Sequence, residues 1–350
     1  MTDLSARLIQ QIKLSGPLSL STYMTLCLHD PKAGYYATRP GLGSDFITAP
    51  EISQVFGELL GLWLAHEWQC LGAPDRFSLI EIGPGRGTLM QDALRAGATV
   101  PGFRDAAELC LIEASPELRR QQATRLAAHS PRFLQDLEAI PRDKPLLLLA
   151  NEWLDCLAAN QFVQTETGWH ERLVGLDDQE QLCFGLSPTP VAGEFTHLGA
   201  REGMEVQPGL SLLADTLAEL FSQTTGRALF LDYGPAEGAP HDSLRAYRSG
   251  QQIHPLSAPG AADLTVDVDF ARLTRLAQQA GLQVSGPLSQ GHFLQALGAQ
   301  ARLDQLIKAA PEQAETLLLS VQKLVDPKQM GTRFKALCLS SPDLPLPAGF

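Results

Sequence analysis

The apolar positions of this chain change period three times along its length. Leu4, Leu8 and Ile12 fall on one face of a helix predicted over 3–15. Residues 29–50, HDPKAGYYATRPGLGSDFITAP, show no period and read as a loop. A loop of that length inside a compact protein is more often functional than idle. The clearest helix follows, with Ile52, Val55, Phe56, Leu59, Leu60, Trp63 and Leu64 on one stripe. Thr48 and Glu51 have the S/T-x-x-E spacing of a capping box at its start, with Pro50 in the first turn.

From residue 78 short apolar runs alternate with helical segments. SLIEIG, ELCLIEAS and PLLLLANE read as strands, with a short strand at 132–134. TLMQDALRAG and PELRRQQATRLAAH read as the helices between them. Near-continuous apolar strands in such alternation imply an α/β fold with a parallel, doubly wound sheet. NQFVQTETGWHERLVGL then predicts an antiparallel hairpin, and 176–208 is irregular. Helices follow at PGLSLLADTLAELF and DFARLTRLAQQAGL, with strands at ALFLDYG, QVSGPL and FKALCLS. The expected organisation is an N-terminal helical and loop cap (1–72), a first core half (73–158), an insertion on the substrate side (159–227) and a second core half (228–350).

Composition narrows the function. With 44% apolar and 19% charged residues in 350, the chain is globular. Its 27 Lys and Arg against 39 Asp and Glu give a net charge of −12, which argues against nucleic acid as partner. Six scattered cysteines form no zinc or disulfide pattern, and His29, His66, His129, His170 and His241 stand in no metal-ligand spacing, so no metal is expected. No apolar run is long enough to span a membrane. The first twenty residues lack signal- or transit-peptide features. A reduced, cytoplasmic protein is the expectation.

The first chemical signal is Glu81-Ile82-Gly83-Pro84-Gly85-Arg86-Gly87-Thr88-Leu89, where a strand hands over to a helix. Glycines there let the backbone approach a ligand, and the helix N-terminus offers free N–H groups. A nicotinamide dinucleotide site wants G-x-G-x-x-G, whereas this is G-x-G-x-G. Glu81, two residues before the first glycine, would repel a pyrophosphate and attract a cation. S-adenosylmethionine (SAM), with a sulfonium and an ammonium and no phosphate, fits better. Glu113 ends the second strand and can accept both ribose hydroxyls; the other reading is a surface acid capping the helix near Pro116. Asp136 could accept from the adenine amino group or simply be solvated.

A second group of acids should gather on the same sheet edge. Asn151-Glu152-Trp153-Leu154-Asp155 follows the fourth strand, and Asp232-Tyr233-Gly234 a later one. Glu152 and Asp155 are three apart, so one helical turn would present both to a pocket, where they suit a guanidinium. Alternatively they cap a helix N-terminus. Methyl transfer from SAM needs alignment and exclusion of water more than covalent help, which agrees with the lack of a nucleophile–histidine pair.

Several blocks together resemble the MidA-type family: GYY (34–36), SDFITAPEISQVFGE (44–58), EIGPGRGTL (81–89), IEASPELRRQQ (112–122), NEWLD (151–155), LDYG (231–234), SLRAYR (243–248), PGAADLTVDVDF (259–270) and MGTRFKAL (330–337). The resemblance covers roughly 15–340. It implies a class I methyltransferase fold, with SAM contacts at Gly83, Gly85, Gly87 and Glu113. It implies that the loop bearing Asp45, Phe46, Ile47, Thr48, Pro50 and Glu51 closes over the cofactor side. It also implies methylation of an arginine on a partner protein, a respiratory complex I subunit in mitochondrial members. Ala158, Asn160 and Gly250 depart from the family pattern, which usually has a proline at the first position and a histidine at each of the other two. An assembly or chaperone factor that has lost turnover and a small-molecule methyltransferase are the rival readings.

Overall fold

The structure, a computed structural model, describes residues 3–38, 47–191, 203–238 and 241–350. It forms two compact units, one of 1–46, 155–212 and 234–273 and one of 47–154, 213–233 and 274–350.

The second unit is built on a seven-stranded sheet. Its strands are β1 (Phe77–Ile82), β2 (Ala107–Ile112), β3 (Arg132–Leu134), β4 (Leu146–Asn151), β5 (Gly226–Tyr233), β6 (Gln283–Ser289) and β7 (Phe334–Ser340). They lie in the order β6-β7-β5-β4-β1-β2-β3. From β3 to β5 every neighbour is parallel, and β7 runs antiparallel to both β5 and β6. The chain winds outward from β1 to β3, then returns to β4 on the other side of β1. That reversal puts a switch point between β1 and β4, where open α/β sheets bind ligands at the strands' carboxyl ends. Every residue of β1 and β4 is buried, as their apolar runs require.

Helix Gln54–Cys70 belongs to this unit, so the expected cap of 1–72 divides after residue 46. The reason is its buried stripe, which packs with helix Thr88–Gly97 in the same core. Gly61 permits the approach: a Cβ there would lie 2.2 Å from Ala93 O. The capping box also needs correction. Thr48 precedes only a four-residue helix, Ala49–Ile52, and makes no side-chain cap bond. Ser53 starts the long helix, its hydroxyl accepting from Val55 N.

The first unit regroups the remainder of the cap, most of the expected insertion and 234–273. The predicted hairpin forms from Asn160–Thr165 and Gly168–Leu176, extended by Leu18–Ser19, Leu182–Leu186 and Gly203–Val206. A three-stranded sheet, Arg245–Arg248, Gln251–Ile253 and Asp263–Thr265, completes it. Leu4, Leu8, Leu20, Tyr23 and Val266 contribute to its core. The helix predicted over PGLSLLADTLAELF forms as Gly209–Gln223, and its residues from 213 onward belong to the sheet unit. Among the described residues no helix is long and apolar enough to cross a membrane.

Candidate active site

The turn after β1 places three glycines in the left-handed region: Gly83 at φ 62°, Gly85 at 55° and Gly87 at 77°. L-residues adopt that backbone at a cost, so the glycine pattern follows from the turn's geometry. Gly87 precedes helix Thr88–Gly97, and no side chain caps the helix N-terminus. Its first N–H groups therefore remain available to an acceptor.

Glu81, one residue before the end of β1, is 2% exposed. Burial and then the charge of Glu113 push its carboxyl up to about 8. Its Oε2 has no hydrogen-bond partner. Glu113 follows β2 and is also buried, which rules out the surface-acid reading. Ser115 caps the helix Pro116–Arg125 instead, accepting from Leu118 N. The Glu113 carboxylate accepts from Ser115 N at 2.8 Å and Gln122 Nε2 at 3.1 Å. Burial raises its pKa against those bonds. Asp136 is exposed and accepts from Ala139 N, closing its own turn.

The turn after β4 is not α-helical. Glu152 adopts φ 49°, and Leu154–Cys156 form one 3₁₀ turn before the chain enters a strand. The expectation that one helical turn presents Glu152 and Asp155 fails, and so does the helix-cap alternative. A left-handed glutamate is strained, and surrounding bonds must hold it. Glu152 N donates to Leu231 O at 2.8 Å. The Asp232 carboxylate accepts from Trp153 N, Leu154 N and Tyr233 N at 3.0, 2.7 and 2.8 Å. Asp232 thus braces the turn through backbone amides. Glu152 Oε1 accepts from Ala49 N at 3.0 Å and Asn151 Nδ2 at 3.1 Å. Trp153 lines the glycine turn: a Cβ on Gly83 would lie 3.3 Å from Trp153 Cδ1.

Glu51 reaches the same turn from the four-residue helix, accepting from Thr88 Oγ1 at 2.6 Å. Thr48 stands at the N-cap position of that helix without a side-chain cap bond, and Asp45 and Phe46 lie outside the described residues. Tyr233 packs edge-on against Phe334 and under the Arg333 guanidinium. Within the other unit, Asp155 is buried and accepts from the Cys156 thiol at 3.2 Å. The Tyr36 hydroxyl touches that thiol and donates to Asp263 at 2.9 Å. Two departures from the family pattern have structural roles here. Asn160 Oδ1 accepts from Ser21 N in the first turn of helix Leu20–His29. Gly250 (φ 73°) and Ser249 (φ 53°) make the two-residue, doubly left-handed hairpin turn. Nothing in the structure explains Ala158.

The fit of SAM can be tested on unpaired buried acceptors. Glu81 Oε2, Gln122 Oε1 and Asn151 Oδ1 all lack partners, and all belong to the strand ends and the helix flanking the switch point. Buried acceptors without donors are uncommon. SAM carries an ammonium, two ribose hydroxyls and an adenine amino group, so its donors match this set. Comparison with known proteins agrees. Residues 59–288 match the family described as "Putative S-adenosyl-L-methionine-dependent methyltransferase". The human protein arginine methyltransferase NDUFAF7, mitochondrial, is 36% identical over 97% of this chain and 83% of its own length. The Drosophila melanogaster homolog is 36% identical over 96% and 84%. The chain belongs to the MidA-type family of SAM-dependent methyltransferases. A crystal structure from Burkholderia thailandensis bound to S-adenosyl-homocysteine matches with a TM-score of 0.84 at 26% identity, over 99% of this chain and 93% of that one. SAM is therefore the cofactor of this fold.

Gln122, Thr88 and the structural role of Asp232 were not legible in the sequence. Gln122 was visible only as a polar residue on a helix of low amphipathicity. Its complete burial had no sequence signal. A trio of His66, Glu67 and Cys70 brings possible metal-ligand atoms within 4.8 Å. Its Glu67, however, is committed to a fully buried ion pair with Arg227 and to Ala348 N.

Proposed function

We propose that this methyltransferase acts on an arginine of a partner protein. The observation that carries the reading is 36% identity, over nearly all of this chain, to relatives named as protein arginine methyltransferases. Charge supports it: the unit bearing Asp155 has 9 Lys and Arg against 17 Asp and Glu, which suits a basic peptide. The family resemblance extends the reading to a respiratory complex I subunit, or its bacterial equivalent, as the partner. Six free cysteines agree with a cytoplasmic site.

When bound, SAM supplies an activated methyl group whose transfer requires an in-line nucleophile. In this proposal Gly83, Gly85 and Gly87 admit the cofactor's backbone-facing side, Glu81 receives its cationic end, Glu113 its ribose and Asp136 its adenine edge. Glu152 orients the guanidinium, with Asn151 holding its carboxylate. A guanidinium gives up a proton as its nitrogen is alkylated, and a carboxylate at hydrogen-bond distance accepts it. Placing the nitrogen within about 3–3.5 Å of the methyl carbon supplies most of the rate.

Tritiated SAM added with this protein to a lysate of cells lacking it tests the reading. Label should enter a discrete protein band. Label confined to small molecules supports the small-molecule alternative, and no label anywhere supports an assembly factor without turnover.

A further inference from the structure

Helix Pro116–Arg125 presents one fully buried polar side chain, Gln122. Its Nε2 donates both to Gly85 O at 2.6 Å and to Glu113 Oε2 at 3.1 Å. The amide orientation is fixed by this pair. A backbone carbonyl can only accept, so the NH₂ group must face Gly85. The second N–H then points at Glu113, where it stabilises the ionised carboxylate. The helix is close enough to impose this arrangement: a Cβ on Gly87 would lie 3.6 Å from Gln122 Cγ.

We propose that Gln122 is a positioning residue of the cofactor site, one that ties the glycine turn to the ribose-binding acid and keeps that acid charged. The assignment of Glu113 to the ribose is the reading given above, and the proposal rests on it. The remaining groups around Glu113 do not replace this function. Ser115 N and Ala114 N bond the carboxylate from its own strand–helix connection. Arg119 Nε donates to the backbone carbonyl of Glu113 rather than to its carboxylate. Burial opposes the ionisation of Glu113, and the Gln122 amide works against that effect. Gln122 is the side-chain donor among the described residues that bridges the two halves of the cradle. Its Oε1 is buried without a partner.

A double-mutant cycle on binding tests the proposal. S-adenosylhomocysteine affinity is measured by calorimetry for wild type, Gln122→Met, Glu113→Ala and the double variant, with melting temperature recorded for each. Methionine keeps the length of the side chain and removes the donor. Losing a hydrogen bond to a charged group predicts a weakening of about tenfold or more for Gln122→Met. In the Glu113→Ala background the same substitution should cost clearly less, because one of the donor's two targets is gone and only the bond to Gly85 O remains. If Glu113→Ala alone leaves affinity unchanged, the ribose reading fails, and the proposal with it. If Glu113→Ala weakens binding but the two losses multiply, Gln122 acts as packing and the positioning role is overturned alone. Gln122→Glu preserves volume and polarity should Gln122→Met not fold. It places a carboxylate against Glu113, and the proposal predicts a loss that grows as pH rises. A pH-independent affinity in Gln122→Glu would contradict it.

Discussion

Replacing Glu81 by glutamine exposes both the cofactor cradle and its energetic cost. Glu81 is buried on the central strand with its carboxyl pushed up to about 8. In an unfolded chain a glutamate ionises near about 4.3. The folded protein therefore retains a proton that the unfolded chain has released, and in this interval stability falls as pH rises. The slope is about 1.4 kcal/mol per pH unit. Between pH 5 and pH 8 the accumulated loss is about 3–4 kcal/mol. Glutamine fills the same volume and does not titrate. The stability difference between Glu81→Gln and wild type should thus grow in favour of the variant by about 3 kcal/mol from pH 5 to pH 8. Titrating groups that do not interact with Glu81 cancel in that difference. Urea unfolding of both proteins at both pH values measures it. The same variant should bind S-adenosylhomocysteine more weakly, because it cannot become the anion that the ligand's ammonium recruits. A stability difference that stays constant across the pH interval would refute the buried-proton reasoning.

Gly85→Val should abolish cofactor binding in calorimetry, since a β-branched residue at φ 55° strains the turn that admits the ligand. Asp232→Ala should destabilise the protein by about 2–5 kcal/mol in denaturant unfolding, because two backbone amides of the turn and that of Tyr233 lose their acceptor. Glu152→Gln should retain S-adenosylhomocysteine affinity within about threefold while methyl transfer falls about a hundredfold, as a displaced acceptor nitrogen requires. Equal transfer by wild type and Glu152→Gln would remove Glu152 from the substrate's path.

Periodicity made the sheet legible because β1, β4 and β5 are buried on both faces and are apolar over most of their length. The glycine turn was legible for a related reason: left-handed backbone at Gly83, Gly85 and Gly87 leaves a compositional trace. Bonds to backbone groups leave none. Asp232 accepts main-chain amides, and any strand-end acid would look the same in sequence. The three-residue spacing of Glu152 and Asp155 suggested a helix, but Asp232 and Leu231 O capture the amides that a helix would use. Thr48 and Glu51 matched a capping box, yet Glu51 bonds Thr88 across the chain and Ser53 takes over the capping. Long-range partners of this kind are fixed by topology, which local spacing does not encode.

The chemical identity of the transferred label tests the central claim most directly. Protein labelled from tritiated SAM is hydrolysed to amino acids, and the radioactive product is separated against methylarginine standards. Wild type should place the label in methylarginine, and Gly85→Val should place none. Label recovered as methyl-lysine, methyl ester or any other product would contradict arginine as the acceptor, and label from Gly85→Val would contradict the glycine turn as the cofactor site.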